Sequence, residues 1–264
     1  MSRHSKIDWN PGAYARFRGL RMRPALDLLR AIDEIPPGPV IDLGCGAGAV
    51  GQVLSERFRG HRLIGVDNSP AMLGEAGRSG FYSWLTQADI AGWAPDDMAR
   101  PGLIYSNAAL HWLDAHEDLM PRLAGFLAPG GVLAVQMPGQ FDAPSHALMR
   151  EVAAALFPDR FEGGTWHPPV AAPEDYARLL APFGPVDAWE TTYLQRLAPV
   201  RGAHPVRRFT ESTAMRPILD VLTAAETELF IATYENELAA AYPQEDDASV
   251  FFPFRRVFFV LERG

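Results

Sequence analysis

The chain has 264 residues, a mass of 29.0 kDa and a formal net charge of −8, with 48% hydrophobic and 21% charged residues. That size and mix suit one large globular domain, or a domain carrying a substantial insertion, and exclude a fibrous or disordered chain. The acidic balance excludes a general nucleic-acid binder, and the lack of an apolar run of ~18 residues excludes a helical membrane span.

Residues 1–30 combine Trp9, Tyr14 and Phe17 with Arg16, Arg18, Arg21 and Arg23. The first residues lack the apolar core of a secretory leader, and Cys45, the one cysteine, has no intrachain disulfide partner, so a cytoplasmic protein is expected. Pro24 is expected to open a helix through Leu26, Leu28, Leu29 and Ile32, which Pro36-Pro37-Gly38-Pro39 stops. Strand patterns then fall at 39–43, 62–67, 84–88, 102–107 and 131–137, with helical patterns between them at 47–58, 70–78 and 116–127. Such alternation predicts parallel strands joined by helical crossovers. Beyond Pro138 the pattern predicts a helix at 145–157, a Gly/Pro-rich loop at 158–173, a short helix at 174–180 and a sixth strand at 186–194. A largely helical stretch at 199–250 and a last strand at 250–262 complete the chain.

The most informative segment is Val40-Ile41-Asp42-Leu43-Gly44-Cys45-Gly46-Ala47-Gly48. An apolar strand runs into a tight glycine turn and then a helix, the layout of a nucleotide-type cofactor site. Gly44, Gly46 and Ala49, with Asp67 ending the second strand, also fit the permissive dinucleotide fingerprint, which has an acid about twenty residues on. Two features turn the reading away from NAD. Asp42 lies just before the loop, where a pyrophosphate would meet its charge, and Asp89 adds a further acid at the end of the third strand. A cation without phosphate suits three acids better, and S-adenosylmethionine carries an ammonium, a sulfonium, a ribose diol and an adenine amine.

At these residues the chain resembles the class I methyltransferases that use S-adenosylmethionine: 40–48, then Gly65-Val66-Asp67-Asn68-Ser69-Pro70-Ala71-Met72-Leu73, then Ala88-Asp89-Ile90. The resemblance implies a Rossmann-like α/β domain with a seven-stranded, mostly parallel sheet, an antiparallel last strand and a helical cap. It implies that Gly44 and Gly46 line the methionine moiety with Asp42 near its amino group, and that Asp67 takes the ribose hydroxyls. Asn68 and Met72 would lie beside ribose and adenine, Asp89 and the Ile90 backbone at the adenine, and Asn107 by the methionine moiety.

The likeness continues through Trp9-Asn10-Pro11, Arg21-Met22-Arg23-Pro24, Ser106-Asn107-Ala108-Ala109-Leu110-His111-Trp112, Met137-Pro138, Trp189-Glu190-Thr191-Thr192-Tyr193 and Phe252-Pro253-Phe254-Arg255-Arg256. These segments resemble the trans-aconitate methyltransferase family. The resemblance implies one catalytic domain over 1–264, with 1–30, 139–173 and 199–250 forming a substrate-binding cap. It implies esterification of one carboxylate of trans-aconitate or a related small polycarboxylate. Methylation of another small acid, or cofactor binding without catalysis, stays open as an alternative.

A carboxylate is ionised at pH 7 and attacks a sulfonium methyl directly, so no general base is expected. No metal motif is present in the sequence. Arginine forks suit the carboxylates that do not react, which makes Arg21, Arg150, Arg216 and Arg255 the candidates, with Tyr14, His111 and Trp112 as neighbours. The expected partner is a small polycarboxylate, without nucleic acid or membrane.

Overall fold

The computed structural model describes residues 18–96, 99–161, 169–211 and 213–264. In chain order the elements are α1 (Arg18–Arg30), β1 (Val40–Leu43), α2 (Gly51–Arg57), β2 (Leu63–Asp67), α3 (Pro70–Ser79), β3 (Trp84–Gln87) and β4 (Leu103–Asn107). A 3-10 turn (Leu110–Trp112) precedes α4 (His116–Phe126), β5 (Val132–Pro138), α5 (Pro144–Leu156), α6 (Pro158–Phe161), α7 (Pro173–Leu180) and β6 (Val186–Leu197). The chain ends with α8 (Pro205–Glu211), α9 (Arg216–Leu219), α10 (Ala224–Ala241) and β7 (Val250–Glu262).

The seven strands form one sheet in the order β3-β2-β1-β4-β5-β7-β6. β1 pairs in parallel with β2 and with β4, and the parallel ladder continues from β2 to β3 and from β4 to β5. β7 runs against β5. Gly130 N donates to Arg263 O at 2.7 Å where β5 begins, and Gly139 N donates to Arg255 O at 3.0 Å where β5 ends. The strand order reverses between β1 and β4, and the carboxyl ends at such a switch point are the usual ligand crevice of a doubly wound sheet.

Two compact units are distinguishable. The first comprises 1–138, 171–190 and 257–264, and its core contains Leu43, Val66, Ile104, Leu133 and Val135, all fully buried. β1 is buried along its length, as a central parallel strand should be, and Asp42 is its one charged residue. The second unit comprises 139–170 and 191–256. Its helices α5 and α10 are tied by side chains: Tyr234 Oη donates to Ser145 O at 2.6 Å, and Ser145 N donates to Tyr242 Oη at 3.1 Å. Phe209 packs edge-on against Phe252 and Phe254, with ring centroids 5.3 and 5.5 Å apart.

Three boundaries differ from the sequence expectation. α1 is already helical at Arg18, with Pro24 inside it, because a proline removes one internal hydrogen bond without ending a helix whose neighbouring turns are packed. α2 begins at Gly51 and not at 47, since residues 45–50 turn back on themselves through Gly48 N to Cys45 O and Gly51 N to Gly48 O, at 3.0 and 3.1 Å. The expected loop at 158–173 opens with the single turn α6. α3 starts where local chemistry dictates, with Ser69 Oγ capping Met72 N at 3.3 Å, Pro70 in the first turn and Gly80 at φ 73° closing the end.

Candidate functional site

The glycine loop hangs on β2. Gly44 N and Cys45 N both donate to Val66 O, at 2.8 and 3.0 Å, so the loop curls over the carboxyl end of the neighbouring strand. Gly44 has φ +80°, and a Cβ there would stand 2.2 Å from Ala109 Cβ, so no other residue fits. Gly46 has φ +53° with nothing within 4 Å of a Cβ position, which leaves open space above its backbone.

The acids are anchored by backbone. Asp67 Oδ2 accepts from Gly46 N and Oδ1 from Ser69 N, both at 2.9 Å, which locks its carboxylate against the loop. Burial pushes this carboxyl above its ordinary value, while its backbone donors pull it back. Asp89 is exposed in the turn after β3 and accepts from Ala91 N at 3.0 Å. Asn68 is exposed beside Asp67, and Met72 is buried on α3. Ile90 reaches the loop from the other side, its Cδ1 lying 3.5 Å from a Cβ built at Gly44.

Asp42 is 1% exposed, and Tyr82 Oη donates to its Oδ2 at 2.6 Å. Burial raises its carboxyl from 3.8 to about 7, opposed by the Tyr82 hydrogen bond and helped by the charge of Asp67. Cys45 is buried and pushed well up by the same surroundings, so it is a thiol that fills space and not a nucleophile.

Asn107 ends β4 beside the loop. Its Oδ1 is buried and accepts no hydrogen bond from the described residues. Ala108 follows at φ 53°, a left-handed conformation unusual for alanine, held by Ala108 N to Gln136 O at 2.9 Å. The first unit therefore brings together Asp42, Gly44, Gly46, Asp67, Asp89, Ile90 and Asn107 from four strand ends that are distant in sequence.

The acceptor candidates are more scattered. Tyr14 lies outside the described residues, and Arg21 has a described helical backbone but no described side chain. His111 and Trp112 occupy the 3-10 turn after β4, their rings 4.7 Å apart, with Trp112 39% exposed. In the second unit, Arg150 lies 3.7 Å over the Phe141 ring and donates to Phe141 O at 2.8 Å. Arg216 Nε is buried and finds no acceptor among the described residues. Arg255 is exposed and donates from Nε to Gly139 O at 2.7 Å.

Sequence reasoning left the roles of four residues unassigned. Arg256, not weighed above its neighbour Arg255, is 4% exposed, with its guanidinium 4.2 Å from the Phe254 ring. The alternation along β7 was a usable signal, because Phe252, Phe254 and Arg256 share the buried face while Arg255 is on the other. Arg122 on α4 holds the turn carrying Asp89 by donating to Trp93 O, Ile90 O and Ala91 O at 2.6, 3.1 and 2.8 Å. Gln140 clamps the start of β7 through Pro253 O at 3.2 Å and Arg255 N at 2.8 Å. Tyr82 carried no sequence signal at all.

Among the described residues no group of three His, Cys, Asp or Glu side chains is placed to hold a metal, and no helix is long and apolar enough to cross a membrane.

Comparison with known proteins agrees with this arrangement. The methyltransferase domain family matches residues 14–184. A trans-aconitate 2-methyltransferase from Paracidovorax citrulli is 41% identical over 97% of this chain and 99% of its own length. One from Streptomyces avermitilis is 42% identical over 97% of each chain. Among solved structures, the YcgJ protein from Bacillus subtilis has a TM-score of 0.56 at 13% identity, covering 92% of this chain and 99% of its own, which shows the shared fold. With 97% of its length matched at such identity, this chain belongs to the trans-aconitate 2-methyltransferase family of methyltransferase-domain proteins.

Proposed function

We propose that this protein transfers a methyl group from S-adenosylmethionine to one carboxylate of trans-aconitate, giving a monomethyl ester and S-adenosylhomocysteine. The observation that carries the cofactor is the set of acceptors around an open glycine turn: Asp42, Asp67 and Asp89, with the buried Asn107 Oδ1 that lacks a donor. A ligand rich in positive charge and hydrogen-bond donors fits that set, and a pyrophosphate does not. The acceptor follows from relatives of that name that match 97% of the chain.

In this reading Asp67 receives the ribose hydroxyls, Asp89 and the Ile90 backbone the adenine, and Asn107 and Asp42 the ammonium. Met72 and Asn68 flank the ribose. Bound there, S-adenosylmethionine supplies an electrophilic methyl group on a sulfonium sulfur. The acceptor carboxylate is ionised at neutral pH and would take the methyl group on its oxygen as it stands, so no residue needs to remove a proton. The chain's contribution is alignment.

In this reading 1–30, 139–173 and 199–250 serve as the acceptor-binding cap, and the non-reacting carboxylates are recognised by arginines. Arg256, which is buried, and Arg216, which is half-buried with its Nε shielded, suit this best, because a guanidinium stays charged away from water and pairs carboxylates through two bonds. Arg150, His111, Trp112, Tyr14 and Arg21 complete the candidate set, whereas Arg255, exposed and bonded to Gly139 O, has the weakest claim. A second reading, methylation of a hydroxylated small acid, draws on Gln195, whose buried Oε1 has no donor among the described residues. Labelled methyl transfer measured across a panel of di- and tricarboxylates tests both. Turnover of trans-aconitate above all others is expected, and no turnover of any polycarboxylate would refute the main reading.

A further inference from the structure

Tyr82 comes from the turn between α3 and β3, yet its ring lies against the glycine loop. A Cβ at Gly48, Gly51 or Gly65 would stand 2.9, 2.7 or 2.9 Å from its ring atoms. One of these glycines is in the loop, one opens α2 and one is in β2, so three separate elements leave the slot that the ring fills. The ring's fixed position aims its hydroxyl at Asp42 Oδ2, 2.6 Å away, inside a region where Asp42 is 1% exposed.

Resting on the reading that this loop binds S-adenosylmethionine, we propose that Tyr82 is a positioning residue of the cofactor site. Its ring sets the shape of the loop, and its hydroxyl holds Asp42 in the ionised form that attracts the cofactor's ammonium. Of the groups acting on Asp42, burial and the charge of Asp67 both favour the neutral acid, and the Tyr82 hydroxyl favours the carboxylate. The other titratable groups that feel its charge are Cys45 in the loop and Tyr105 on β4, both held in their neutral forms by burial. Tyr105 Oη donates elsewhere, to Ala25 O at 2.7 Å. With its carboxyl raised to about 7, Asp42 would change charge in the neutral range, so loss of one hydrogen bond moves its charge state where binding is measured.

The test is S-adenosylhomocysteine affinity by calorimetry from pH 5.5 to 8.5, for the wild type, Tyr82→Phe and Tyr82→Leu. Wild-type affinity should rise with pH and level off near pH 7. Tyr82→Phe keeps the ring in its slot and removes the hydroxyl. Its profile should shift upward by about one pH unit or more, with binding about fivefold or more weaker at pH 7 and the gap narrowing toward pH 8.5. Tyr82→Leu, which also empties the slot, should bind weakly at every pH. A Tyr82→Phe profile that coincides with the wild type, or is weaker by a constant factor, would overturn the proposal while leaving the cofactor reading intact. Absence of wild-type binding at every pH would overturn the cofactor reading, and the proposal with it.

Discussion

Asp42→Asn should make the unliganded protein more stable and at the same time unable to hold its cofactor well. The carboxyl of Asp42 is raised from 3.8 to about 7, chiefly by burial. Between those values the folded chain keeps a proton that the unfolded chain has lost. Stability therefore falls as pH rises through this window and is flat above it. The slope is about 1.4 kcal/mol per pH unit, which accumulates to about 4 kcal/mol by pH 7. An asparagine carries no charge to desolvate and still accepts from Tyr82 through Oδ1, so the variant lacks this slope. Urea unfolding of both proteins at half-unit steps from pH 4 to 8.5 reads the difference directly. The variant should gain nothing at pH 4 and about 4 kcal/mol above pH 7, and it should bind S-adenosylhomocysteine at least tenfold more weakly at pH 8. A difference that is constant with pH, or a less stable variant at pH 8, would refute the assignment of Asp42 as a strained buried acid.

Further outcomes follow from the same geometry. Gly44→Ala should lose about 2–4 kcal/mol, because its Cβ would meet Ala109 Cβ at 2.2 Å in a left-handed backbone. Gly46→Ala, with nothing within 4 Å, should lose about 1–2 kcal/mol from backbone strain yet still fail to bind cofactor, as thermal unfolding with and without S-adenosylhomocysteine would show. Arg256→Lys should raise the KM for the acceptor at least tenfold with cofactor affinity unchanged, whereas Arg255→Lys on the exposed face should change it less than twofold; steady-state kinetics with varied acceptor decides. His146 is lowered to about 4 by burial and by the charge of Arg150, so its contribution to stability is complete above pH 6.5 and is lost as pH falls toward 4. Its ring resonances in proton NMR should accordingly not titrate above about pH 5, and a midpoint near 6.5 would contradict the buried placement.

The cofactor half of the site was legible in the sequence because its determinants are local. A strand, a glycine turn and a helix are contiguous, and each acid lies at or close to the carboxyl end of its own strand, so periodicity and turn chemistry locate Asp42, Asp67, Asp89 and Asn107 without tertiary knowledge. The parallel strands were likewise readable from the alternation of patterns, whereas the antiparallel last strand followed from the family resemblance. The acceptor half was not. Arginines occur along the whole chain, and composition says nothing about which are consumed internally. Arg207 is committed to Glu211 and Glu235 at 3.0 and 2.7 Å, and Arg208 pairs with Glu211, whereas Arg216 keeps a buried Nε without a described acceptor.

By itself, then, the sequence determined the kind of sheet, the glycine loop and the acids that suit a cationic cofactor, since these depend on φ preferences and on residues adjacent in the chain. The tertiary structure alone decided the state of those groups. Tyr82 reaches Asp42 across forty positions, and Gln140 reaches the Arg255 backbone across more than a hundred. Arg122 grips the turn of Asp89 from α4. Charge state and reach depend on burial and on partners brought together by folding, and no local pattern encodes them.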